Sequence, residues 1–128
     1  MATILVVDDD VPVRQVISRS LGGRGHLVLE ARDGVEALEL LGSFPIDLAI
    51  VDLVMPRMHG LELMRRMRQH FPGKKVVVIS AFDDIIDLAE RELDIVGTFK
   101  KPFVAEDLAD AVERALNYPD ESVRPLPG

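Results

Sequence analysis

Apolar residues along this chain change their spacing again and again. Short unbroken runs at residues 4–7, 27–29, 48–51, 76–79 and 95–99 are rich in Val and Ile and bounded by charged residues, Gly or Pro. That pattern predicts strands buried on both faces. Between the runs the spacing becomes helical. Val13, Val16, Ile17 and Leu21 fall on one helix face, as do Val35, Leu38 and Leu41, then Met64, Met67 and Phe71, and last Leu108, Val112 and Leu116. A further helix is expected over residues 85–93. Stop and start signals agree with these boundaries. Pro12 suits a first helical turn after an aspartate cap. Asp33 and Glu36 have the spacing of a capping box. Gly22-Gly23, Pro72-Gly73 and Asn117 stand where helices end.

Five strand–helix units in succession predict an α/β fold, a doubly wound five-stranded parallel sheet. With 128 residues the chain has room for one domain, expected over residues 1–118. Residues 119–128 hold three of the eight prolines and read as a tail or the start of a linker. A hydrophobic fraction of 48% is too high for intrinsic disorder. No apolar run approaches the ~20 residues a membrane helix needs, and the run at 4–7 is cut off by three aspartates, so neither a membrane span nor a signal peptide is expected. The absence of cysteine removes disulfides, thiolate nucleophiles and Cys-ligated zinc, and is compatible with a cytoplasmic location. With 15 basic against 22 acidic residues, the net charge of −7 disfavours nucleic acid as a direct partner. Arg65, Arg66 and Arg68 lie close together but read as the solvated face of a helix.

In a parallel sheet all carboxyl ends share one edge, and ligands bind there. Four of the five predicted ends carry distinctive chemistry: Asp8-Asp9-Asp10, Asp52, Ser80, and Lys100-Lys101-Pro102. The end of the second, Glu30-Ala31-Arg32, has no assigned role. Several carboxylates brought together repel one another unless a cation joins them, and two or so carboxylates plus waters suit Mg²⁺. A hydroxyl and an ammonium complete a site for phosphoryl transfer onto a carboxylate. Singly each signal is weak: Asp10 reads as a helix cap, Ser80 as a turn serine, and only one of the two lysines can face the site. Their convergence on one edge makes the phosphoryl reading strong.

The motifs Ile4-Leu5-Val6-Val7-Asp8-Asp9-Asp10, Val51-Asp52-Leu53-Val54-Met55-Pro56 with Gly60, Val78-Ile79-Ser80-Ala81 and Lys101-Pro102-Phe103 resemble those of the receiver domain of two-component response regulators, over residues 3 to 117. The resemblance implies a flavodoxin-like fold with strand order 2-1-3-4-5. It implies that Asp52 is phosphorylated by a histidine kinase or phosphotransfer protein. Asp8 and Asp9 become the acidic pair, with Asp9 and Asp52 ligating Mg²⁺ beside the backbone carbonyl of Val54. Ser80 takes the switch position and Lys101 that of the lysine contacting the phosphoryl group, its bond to Pro102 being cis. Such a domain is a regulatory phosphoacceptor, not an enzyme acting on other molecules, and it signals to an effector or to a C-terminal output domain. The resemblance also admits a homodimer through the face formed by the fourth and fifth helices and the fifth strand. One departure stands out: where the family carries Tyr or Phe, three residues before the lysine, this chain has Thr98 beside Phe99, so the aromatic half of the switch is missing or taken over by a neighbour such as Phe82.

Two rivals share parts of this pattern. A phosphohydrolase of the haloacid-dehalogenase type would use Asp8 and Asp10 as its D-x-D pair and draft Asp83-Asp84 as its late acidic pair. Against it, Val11-Pro12 follows Asp10, and no cap insertion is present. A flavodoxin-like cofactor binder would need backbone amides facing an anion after the first strand, where three aspartates would repel it.

Overall fold

The computed structural model describes residues 1–55, 58–82, 86 and 95–117. The expectations for Pro56, for Asp83-Asp84, for the helix over 85–93 and for the tail fall outside the described residues, apart from Ile86, which is helical and buried. Five strands, β1 (Thr3–Val7), β2 (Leu27–Ala31), β3 (Leu48–Asp52), β4 (Lys75–Ser80) and β5 (Gly97–Lys100), form one sheet. Its order is β2-β1-β3-β4-β5, and every pairing is parallel. Among the described residues the helices with defined bounds are α1 (Val11–Gly22), α2 (Gly34–Ser43), α3 (Gly60–His70) and α4 (Ala105–Asn117).

Alternation along the three central strands divides the apolar residues between two faces. Ile4, Val6, Leu48, Ile50, Val77 and Ile79 pack with Ile17 and Leu21 of α1 and Leu108 and Val112 of α4. Leu5, Val7, Ala49, Val51, Val76 and Val78 pack with Leu41 of α2 and Leu63, Met64 and Met67 of α3. Each fully buried Val, Leu or Ile contributes about 1.5–3 kcal/mol relative to exposure, so these two layers dominate the stability. They also make the central strands rigid supports for whatever follows them.

The structure departs from the sequence reading in three places. β2 and β5 are edge strands and only partly covered; Leu27 is 53% exposed. Val16 faces away from the sheet, bordering an open apolar hollow with Pro12, Val13, Ala81, Lys101, Pro102 and Phe103. Val35 is likewise exposed, because the covered stripe of α2 runs through Gly34, Ala37 and Leu41. The glycine stops stand where expected: Gly23 caps α1, in a right-handed conformation with the left-handed Gly25 at φ 91° just beyond it, and Gly73 takes φ 86° in the Pro72-Gly73 turn.

The helix starts follow the sequence more closely. Asp10 caps α1, accepting from the Val13 N–H at 3.4 Å, with Pro12 in the first turn. Asp33 caps α2 through the Glu36 N–H at 2.9 Å, but Glu36 reaches back to the N–H of Arg32, not of Asp33, shifting the box by one residue. The arginines of α3 are exposed, as expected of a solvated face.

Gly60 opens α3 where the helix crosses the end of β3. A Cβ there would lie 2.5 Å from both the Asp52 carbonyl oxygen and the Leu53 Cα, so only glycine permits this approach. Gly60→Ala is expected to lower stability by about 1–3 kcal/mol, since backbone must move to admit one methyl group. Gly22→Ala, with nothing within 4 Å, is expected to leave stability unchanged or slightly raised. Urea denaturation of the two variants checks the contrast.

Candidate functional site

The chain leaves β1 toward β2 on one side and returns to β3 on the other, so the crevice between the carboxyl ends of β1 and β3 is a switch point of the topology. Asp8 directly follows β1 and is fully buried. Its N–H donates to the Ala31 carbonyl at 3.1 Å, and its Oδ1 accepts from the Asp10 N–H at 2.9 Å. Asp52 ends β3 and is 4% exposed; its Oδ1 accepts from the Val54 N–H at 3.1 Å. Ser80 ends β4, fully buried, its Oγ accepting from the Phe82 N–H at 3.1 Å.

Lys101 follows β5 and joins these elements. Its Nζ lies 2.8 Å from Asp8 Oδ2 and 3.1 Å from Asp52 Oδ2, and its backbone N–H donates to the Ser80 carbonyl at 2.7 Å. The Lys101–Pro102 bond is cis. Lys100 is exposed, so strand alternation has selected one lysine of the pair. Asp9 stays exposed at the mouth, and carboxylate oxygens of Asp8, Asp9 and Asp52 lie within 4.8 Å of one another. Of the residues singled out on the first, third, fourth and fifth strand ends, Asp8, Asp9, Asp52, Ser80 and Lys101 gather at this edge, while Lys100 faces outward and the Asp10 carboxylate caps α1. That leaves the D-x-D hydrolase reading without its second aspartate in the cluster.

Among the described residues, the Lys101 ammonium contacts two of these three carboxylates. Burial, and then the charge of Asp8, push the Asp52 carboxyl up from 3.8 to about 6, against the opposing effects of the Val54 N–H and Lys101. Burial works against the Lys101 ammonium, but its hydrogen bond to Asp8 and the charges of both aspartates outweigh it and hold its pKa above the ordinary value. Three convergent oxygen donors, one open to solvent, with excess negative charge fit a hard divalent cation such as Mg²⁺.

Two residues beside the site were not singled out by their chemistry. Arg14 Nη1 donates to the Asp8 carbonyl at 2.7 Å, and its Nε lies 3.1 Å from Glu30 Oε1. The available signal was an arginine one turn into the helix that follows three aspartates. Its partner on β2 is 16 residues away in sequence, which no local pattern links.

The raised pKa of Asp52 has a consequence for stability. Below about pH 4 the group is protonated in both folded and unfolded chains and imposes no penalty. As pH rises toward 6 the unfolded chain ionises first, and the native state loses stability; above about 6 the loss is complete. In the presence of a chelator, Asp52→Asn is expected to be more stable than the parent protein at neutral pH, by on the order of 2–3 kcal/mol. The advantage should fade as pH falls from 6 to 4. Thermal melts across that range are the check.

Comparison with known proteins agrees with the geometry. The family model "Response regulator receiver domain" matches residues 4–113. The response regulator MprA of Mycobacterium sp. (strain KMS) is 37% identical over 121 residues, covering 92% of this chain and 53% of that protein. MprA of Mycobacterium ulcerans (strain Agy99) is 40% identical over 106 residues, covering 82% and 46%. The chain thus spans about half the length of these relatives. Among solved structures, a receiver domain protein from Clostridium thermocellum superposes with TM-score 0.82 at 30% identity, covering 91% of this chain and 95% of that one. The response regulator TrrA from Thermotoga maritima, solved in complex with Mg²⁺-BeF, does so with TM-score 0.79 at 30% identity, covering 89% and 98%. The chain belongs to the receiver domain family of two-component response regulators.

Proposed function

We propose that Asp52 is the phosphoacceptor of this receiver domain, with a histidine kinase or a phosphotransfer protein as donor. The observation that carries the proposal is the buried Asp52 carboxylate held between the Val54 N–H and the Lys101 ammonium at the sheet's switch point. An Asp52 carboxylate oxygen attacks phosphorus, the P–N bond to the donor imidazole breaks, the imidazole leaves with a proton, and an acyl phosphate forms. In this reading Lys101 pairs with one phosphoryl oxygen, and the Ser80 hydroxyl donates to another. Asp8, Asp9, Asp52 and the backbone carbonyl of Val54 would hold a Mg²⁺ ion. Bound there, it supplies neutralising charge for the carboxylate and the incoming group.

In this reading the protein modifies only itself and acts as a regulator. Phosphorylation adds acceptor oxygens beneath the Ser80 loop and draws its hydroxyl inward. The switch aromatic of the family is absent at Thr98, and the two neighbouring phenylalanines lie elsewhere. Phe82 is 54% exposed, while Phe99 stacks edge-on with Phe103, 6.4 Å away, on the α1–α4 face. The output therefore rests on the loop after β4 more than on β5. Its recipient is a separate effector or an output domain in the same polypeptide, and self-association through the β5–α4 side is the further option. Among the described residues no helix is long and apolar enough to cross a membrane, and we place the domain's action in the cytoplasm.

Incubation with acetyl phosphate and Mg²⁺, followed by peptide mass spectrometry, is expected to place the label on Asp52. A chelator or Asp52→Asn should abolish it; a label on Asp8 instead would favour the hydrolase. Slow loss of the phosphoryl group is also expected. Val54 holds Asp52 through its backbone, but its apolar side chain cannot orient an attacking water. Val54→Asn and Val54→Glu should shorten the half-life of the phosphorylated protein severalfold, and an unchanged or longer half-life in both would contradict this role.

A further inference from the structure

The second strand end, left without a role by the sequence, is occupied in the structure. Glu30, next to last in β2, sets its Oε1 3.1 Å from Arg14 Nε. The guanidinium aims its other edge at the Asp8 carbonyl, 2.7 Å from Nη1, and the Arg14 side chain is 15% exposed. The Arg14 backbone N–H donates to the Asp10 carbonyl at 3.0 Å. One residue thus holds both ends of the Asp8-Asp9-Asp10 turn, by side chain at the first carbonyl and by backbone at the last. Asp8 lies just beyond β1, so its carbonyl has left the strand ladder, and a charge-assisted donor takes the place of a strand partner.

By charge alone, Arg14 is unhelpful to a cation site. A guanidinium held on the backbone of the turn that carries Asp8 and Asp9 competes with a divalent ion for the same negative potential. Its geometry works the other way. Asp8 is fixed on four sides: N–H to Ala31, carbonyl to Arg14, Oδ1 to the Asp10 N–H, and Oδ2 beside Lys101. Without Arg14 the carbonyl anchor is lost, and the turn bearing Asp8 and Asp9 can rotate about its remaining contacts. Mg²⁺ tolerates little deviation from its preferred ligand geometry, so rotation there is costly. Glu30 in turn decides where the guanidinium points, because its carboxylate fixes the Nε edge.

We propose that Arg14 is a positioning residue for the cation site, holding the Asp8-Asp9 turn through the Asp8 carbonyl, and that Glu30 on the edge strand orients Arg14. The inference rests on the reading of Asp8, Asp9 and Asp52 as a divalent-cation site. It makes the outer strand β2 part of the phosphoacceptor machinery, though none of its side chains enters the crevice.

The two effects of Arg14 differ in sign, which makes them separable. Mg²⁺ is titrated into the intact protein and into Arg14→Gln, Arg14→Lys and Glu30→Ala, following amide chemical shifts. Amide hydrogen exchange at Asp9 and Asp10 is measured on the metal-free proteins. Positioning predicts that Arg14→Gln binds Mg²⁺ about tenfold more weakly, the size of effect seen when outer-shell partners of ligands are removed. Arg14→Lys keeps the charge but loses the planar fork, and should also bind more weakly than the parent. Glu30→Ala should show a smaller loss, and exchange at Asp9 and Asp10 should quicken in all three. Tighter or unchanged Mg²⁺ binding by Arg14→Gln, with unchanged exchange, overturns the positioning role while leaving the cation site standing. If Arg14→Gln does not fold, parental affinity in both Arg14→Lys and Glu30→Ala overturns it equally. A parent protein that fails to bind Mg²⁺ overturns the cation reading itself, and the inference with it.

Discussion

Crowded negative charge at the carboxyl edge of the sheet is the constraint around which this molecule is organised. Asp8 and Asp52 are buried, Asp9 sits at the mouth, and among the described residues Lys101 brings the positive charge that contacts Asp8 and Asp52. Left to itself, such a cluster would open or take up protons. It stays closed because each buried carboxylate accepts from a backbone N–H, Asp10 in one case and Val54 in the other, while Lys101 bridges the two. The residual imbalance, together with burial, pushes the Asp52 carboxyl up to about 6.

Holding that arrangement requires a stiff frame, which explains why the central strands are apolar throughout. β1, β3 and β4 bury side chains on both faces, so their ends cannot move independently of two packed layers. The approach of Gly60 to the Asp52 carbonyl locks α3 against the end of β3. Lys101 enters from the opposite side of β4, tied by its backbone to the Ser80 carbonyl. The proposed phosphoacceptor thus stands on a frame held from both faces of the sheet.

Much of this was legible in the chain. Val/Ile runs ending in Asp, Asp, Ser and Lys locate four strands and their functional ends, because a buried parallel strand must be apolar and its polar residues must lie beyond it. Helix starts at Asp10 and Asp33 were equally readable, since capping is chemistry between near neighbours. Less legible were the exposure of Val16 and Val35 and the partial cover of β2 and β5. A helical or strand period tells which residues share a face, not how much of that face another element covers.

What the sequence by itself determined was therefore local: the identity and order of the elements, their caps, and the residue types waiting at each strand end. What only the tertiary structure decided was long-range. It set the Lys101 ammonium against both Asp8 and Asp52, brought the Asp9 carboxylate within 4.8 Å of theirs, and joined Glu30 through Arg14 to Asp8. These contacts link residues up to 93 positions apart, Lys101 minus Asp8. Backbone propensity and side-chain period act over a few residues, whereas the meeting of two strand ends depends on how the whole sheet is wound.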